Sequence, residues 1–169
     1  MTTPVDTDSR METEAHDVRI TDTNGFLGEQ NGLEALQKLF PEEGVTRTRS
    51  GFEYRKGDFF IGVRAYQDAR DEQWRLRVSL VNNDTTLTGG VVQEHIDGRD
   101  TITIVRPSMR GDTDSLSYFR FQRDQSGRIE IGNGHIFSTT GASDPQTRHL
   151  TSALEKANKL PNRLYPRRG

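Results

Sequence analysis

The chain has 169 residues, no cysteine, 28% charged side chains and a formal net charge of -2. Lack of cysteine excludes disulfides, thiolate nucleophiles and cysteine-ligated zinc or iron–sulfur centres. The length suits one domain with tails, and no apolar run approaches the roughly 20 residues of a membrane-spanning helix.

Leu, Ile, Val and Phe make up about 22% of the chain, just above the roughly 20% below which disorder is expected. A small core is therefore expected, with part of the chain outside it. The net charge hides a split: residues 1–44 carry ten acids and three bases, whereas residues 45–169 carry fifteen acids and twenty bases. An acidic arm beside a basic body points to self-shielding or to an anionic partner, and solvated charge that only keeps the chain soluble is the simpler account.

Residues 1–17 are rich in Thr, Asp and Glu and hold almost nothing to bury. They read as a disordered acidic arm. Met1 to Asp6 has neither the basic nor the apolar region of a secretory signal, and a cytoplasmic location is the expectation. Val18–Thr21 reads as a short strand, and Asn24-Gly25 and Gly28 as chain breaks. Leu33, Leu36 and Phe40 then recur at helical spacing, with Asn31 as a plausible N-cap, Glu34 three residues on and Pro41 as the stop.

Beyond Gly44 the period changes to two. Phe52 and Tyr54 alternate with Glu53 and Arg55; Phe59, Ile61, Val63 and Ala65 alternate with Phe60, Arg64 and Tyr66; Trp74, Leu76, Val78 and Leu80 alternate with Arg75, Arg77 and Ser79. Each alternation is that of a half-buried strand. Leu87 to Ile96 reads as extended, with Gly89-Gly90 marking a bulge. Asp97-Gly98 has the residues of a two-residue type I′ hairpin turn. Strands follow at Thr101–Val105, Leu116–Arg123 and Arg128–Ile131. A last helix begins near Ser143, Asp144 and Pro145, carries Leu150, Ala153, Leu154 and Ala157 on one stripe, and ends at Pro161.

The expected class is α+β: a curved antiparallel β-meander of about six to seven strands, with an N-terminal and a C-terminal helix packed on one face. The expected organisation is a disordered arm over 1–17, a single domain over 18–160 and a basic tail over 161–169.

No catalytic motif stands out. Glu94-His95 lies near Asp97 and Asp100, and a carboxylate–histidine pair can do acid–base work or hold a metal. No HExxH spacing supports it, and a polar residue on an outer strand face is the simpler reading. The glycine-containing stretches Gly89-Gly90 and Asn133-Gly134 lead into strands, not helices, so they lack the order of a phosphate cradle. Neither a cofactor nor a metal site is expected, and no catalytic residue is assigned.

The most informative constellation is the outward face of the sheet. Phe60, Arg64, Tyr66, Arg75, Arg77, Tyr118 and Arg120 lie off the apolar alternation. Aromatics among arginines can stack bases and neutralise phosphates; a solvated face, or one covered by a helix, is the plainer account. The expectation drawn from these residues is a non-catalytic binding module that recognises a protein partner or acidic peptide through its sheet face or the groove between sheet and helix. A sheet-based binder of single-stranded nucleic acid is the first alternative. A small-molecule carrier or enzyme with a pocket under the last helix, lined by Trp74, Phe119 and Phe121, is the second. No membrane partner is expected, and nothing in the sequence sets the oligomeric state.

Overall fold

The structure is a computed structural model and describes residues 16–29, 31–96, 98–106, 115–137, 153–154 and 156–157. The acidic arm is covered only at its last two residues, which open the first strand. Residues 107–114, the start of the last helix and the basic tail lie outside the described residues.

Among the described residues, ten strands form two antiparallel sheets of five. The first sheet has the order β1-β7-β8-β9-β10, from β1 (His16–Asp22), β7 (Gly90–Ile96), β8 (Arg99–Arg106), β9 (Ser115–Arg123) and β10 (Ile129–Phe137). The second runs β2-β3-β4-β5-β6, from β2 (Val45–Arg47), β3 (Gly51–Lys56), β4 (Phe59–Gln67), β5 (Trp74–Leu80) and β6 (Asp84–Leu87). Between β1 and β2 lie α1 (Thr23–Gly28), α2 (Asn31–Leu39) and a 3₁₀ turn over Glu42–Gly44.

The antiparallel, sheet-rich class agrees with the sequence. The count and division of strands differ from the expected six to seven in one meander. Gly89-Gly90, read as a bulge within one strand, is where the chain leaves the second sheet and enters the first. Gly89 has φ +131° and lies against the backbone of β8, where a Cβ would come within 2.3 Å of the Val105 carbonyl oxygen. Its own carbonyl accepts from both the backbone N–H and the hydroxyl of Thr23, at 2.7 and 2.6 Å. The crossover is thus pinned to the start of α1, in a space only glycine fits.

Both sheets bury their inner faces in one core. Phe52, Ile61, Val63, Leu76, Val78 and Leu87 of the second sheet meet Val91, Ile102, Ile104, Phe119 and Phe121 of the first. Phe26 and Leu27 of α1, Leu36 and Leu39 of α2, and Phe40 belong to the same cluster. The glycines of Thr23–Gly28 suggest a break, yet burying Phe26 and Leu27 sustains a helical turn there, with the Asp22 carboxylate accepting from Gly25 N–H. Tertiary burial here outweighs local propensity.

The outer face of the first sheet carries a second cluster. Val92 and Val105 point away from the main core, since they neighbour Val91 and Ile104 along their strands, and they pack against Ala153, Leu154 and Ala157 of the last helix. Gly90 lies on this face, where a Cβ would approach Ala157 Cβ to 2.5 Å. The described part of the last helix and α2 therefore lie on opposite faces of the first sheet, not on one face as the stripes alone suggested.

Candidate functional site

The seven surface residues singled out by alternation are divided between the two sheets. Phe60, Arg64, Tyr66, Arg75 and Arg77 share the outer face of β4 and β5, where register sets Arg64 opposite Arg77 and Tyr66 opposite Arg75. Tyr118 and Arg120 are on β9 of the first sheet, on the face that the last helix covers. Tyr118 packs against the cluster of Val92, Leu154 and Ala157, and the Arg120 guanidinium lies 6.0 Å from its ring centroid. A two-residue period tells inward from outward but does not tell one sheet from another, so the sequence merged two surfaces.

Arg75 is held within the protein. Its guanidinium forks onto Asp71, with Nη1 to Oδ1 at 3.0 Å and Nη2 to Oδ2 at 2.7 Å, and Nη1 lies 3.1 Å from Asp68 Oδ2. Its side chain is 15% exposed. The β4–β5 loop supplies both carboxylates. Asp68 is held well below the usual carboxylate range, chiefly by hydrogen bonds from the Arg70 side chain and backbone N–H. The Arg75 side chain, and then the Gln73 N–H, do the same for Asp71.

Arg55, Arg64 and Arg77 make no ion pair among the described residues. Arg55 stacks its guanidinium over the Phe60 ring at 4.7 Å. The ring edge lies over Gly62, where a Cβ would sit 3.4 Å from Phe60 Cζ. Arg77 Nε is buried and has no hydrogen-bond partner among the described residues. Tyr66 is 37% exposed beside them. Arg64 and Arg77 are like charges directly opposite on one sheet face, an unfavourable pairing. Glu53 of β3 and Asp84 of β6 stand on the same face, opposite Gly62 and Ser79, one diagonal step from Arg64 and from Arg77, respectively.

The other sequence candidate is also built. His95 and Asp100 face each other across the β7–β8 hairpin, with Nδ1 and Oδ1 at 2.6 Å. The signal was in the sequence: a two-residue turn at Asp97-Gly98 sets residue 95 opposite residue 100. Among the described residues there is no group of three or more histidine or acidic side chains able to hold a metal ion. None of the helices in the described residues is long and apolar enough to cross a membrane.

Comparison with protein-family models, with curated proteins and with solved structures found no match. The functional reading accordingly rests on the side chains themselves.

Proposed function

We propose that this chain is a non-catalytic binding module that docks an acidic segment of a protein partner on the outer face of its second sheet. The juxtaposition of Arg64 and Arg77, which make no ion pair among the described residues although Glu53 and Asp84 stand one diagonal step away, carries the reading. Opposed like charges on a sheet are destabilising by a few tenths to about 1 kcal/mol, a cost that a bridging carboxylate removes. Each guanidinium offers a fork of donors matched to such a group. Arg75 is already occupied by Asp71 and Asp68 and serves to fix the loop beside the face.

An acidic peptide is favoured over single-stranded nucleic acid by the state of the aromatics. Base stacking needs open rings. Phe60 is covered by Arg55 and Tyr118 lies on the other sheet, which leaves Tyr66 as the single open ring among these three. The carrier reading gains less support, because Phe119 and Phe121 are packed in the core at 2% and 0% exposure.

Fluorescence anisotropy with a labelled Glu-rich peptide and a labelled single-stranded oligonucleotide of equal charge separates these readings. The peptide should bind, and more weakly as salt rises. Tighter binding of the oligonucleotide would replace the protein partner with a nucleic acid, and binding of neither at low salt would remove the face from consideration.

A further inference from the structure

A separate site is built on the first sheet, at the end where α2 crosses it. Asp17 of β1, His95 of β7, Asp100 of β8 and Arg123 of β9 stand in one cross-strand row. Asp100 is fully engaged: Oδ1 meets His95 Nδ1 at 2.6 Å and Oδ2 accepts from Arg123 Nη2 at 2.9 Å. Arg123 is fixed in turn, because its Nη1 donates to the Lys38 carbonyl in the last turn of α2, at 2.8 Å. A carboxylate that already accepts from a guanidinium is the acceptor for the imidazole as well. Nδ1 therefore carries the hydrogen, and Nε2 of the neutral ring presents a lone pair.

That ring opens into a groove of about 290 Å³ between α2 and the sheet. Arg19 and Lys38 line it together with Asp17, Gln93, His95, Asp100 and Glu94. Of the three carboxylates, Asp100 is already paired with Arg123, and Glu94 alternates with His95, so its side chain belongs to the other face of β7. Arg19 stands opposite Gln93, one diagonal step from His95, within reach of long side chains. The groove thus has cations in Arg19 and Lys38 and hydrogen-bond acceptors in His95 Nε2 and Asp17. The volume is at the lower edge of small-molecule sites.

We propose that this groove binds a small hydroxylated oxyanion, a phosphate or carboxylate carrying a polyol. Arg19 and Lys38 hold the anionic group, and His95 Nε2 and Asp17 accept from the hydroxyls. Asp100 is a positioning residue, which fixes the tautomer and the ring plane of His95. The site is independent of the arginine face, which lies on the other sheet.

The test is long-range ¹H–¹⁵N NMR of the histidine rings in the full chain. The ligands are glycerol 3-phosphate and gluconate, with inorganic phosphate, glycerol and sodium chloride as controls at matched ionic strength. The neutral His95 ring should be the Nδ1–H tautomer, and one or both hydroxylated anions should shift its Nε2 resonance saturably. A response to glycerol 3-phosphate alone would assign a phosphate, and one to gluconate alone a carboxylate. Arg19→Ala and Lys38→Ala should each weaken binding about tenfold, as expected for loss of a charged hydrogen bond. Asp100→Asn should move the ring toward the Nε2–H tautomer and weaken binding similarly. An Nε2–H tautomer in the unaltered protein would overturn the proposal. So would no saturable shift, an equal shift with sodium chloride, or inorganic phosphate binding as tightly as glycerol 3-phosphate.

Discussion

Arg64 and Arg77 face each other across the β4–β5 pair, with Nε of Arg77 buried and unpartnered among the described residues. A sheet built only for stability gains from opposite charges at such a position. Arg64→Glu should therefore raise stability by up to about 1 kcal/mol through a new cross-strand pair with Arg77, while weakening the binding of an acidic peptide. Urea midpoints with an unchanged slope measure the first effect and anisotropy the second. Lower stability together with unchanged binding would mean that Arg64 has a structural role.

Acid should release the β4–β5 loop. Asp68 and Asp71 have their folded carboxyls held below the usual range by Arg70 and Arg75, respectively, and by nearby backbone N–H groups. A carboxyl depressed in the folded state stabilises above its unfolded value, near about 3.9, and that contribution is lost as pH falls through the lower folded value. Asp71→Asn should therefore be less stable than the unaltered chain at neutral pH, and the difference should shrink in acid. Urea midpoints at neutral pH and in strong acid check this; a difference independent of pH would exclude the ionic cause.

The shared core should tolerate little. Phe121 and Leu76 are fully buried, whereas Trp74 is half-buried against the rim of the core. Truncating Phe121 to Ala should cost about 3–5 kcal/mol and Leu76 about 2–5 kcal/mol. Trp74→Ala should cost less than Phe121→Ala. Denaturation midpoints decide, and near-native stability for both Phe121→Ala and Leu76→Ala would contradict the two-sheet core.

Docking of the last helix is tested at Gly90. A Cβ there would meet Ala157 Cβ and its carbonyl oxygen, both at 2.5 Å. Gly90→Ala should destabilise by about 1–3 kcal/mol, the usual range for overpacking. A stability equal to that of the unaltered chain would mean that the helix does not press on β7.

Much of this was legible in the alternation. Leu76 and Val78 are buried as their strand pattern required, and the helix containing Leu36 falls within one residue of where its stripe set it. Hidden from the sequence were the long-range choices. Nothing local says that β1 pairs with β7 or that the chain changes sheets at Gly89. For the same reason Tyr118 and Arg120 were grouped with a face on the other sheet. The engagement of Arg75 by Asp71 depends on how the β4–β5 loop folds back, which the period of a strand does not encode. The pairing of His95 with Asp100 was readable from the turn length alone.

The central claim is that the outer face of β4 and β5 recruits an acidic partner through Arg64 and Arg77. The most direct measurement is the affinity of a Glu-rich peptide for Arg64→Glu/Arg77→Glu beside the unaltered chain, with urea midpoints confirming that both are folded. Each removed guanidinium–carboxylate contact should contribute about 1.5–3 kcal/mol, so the double variant should lose at least about a hundredfold in affinity at equal stability. A folded double variant that binds the peptide as tightly as the unaltered protein would contradict the account.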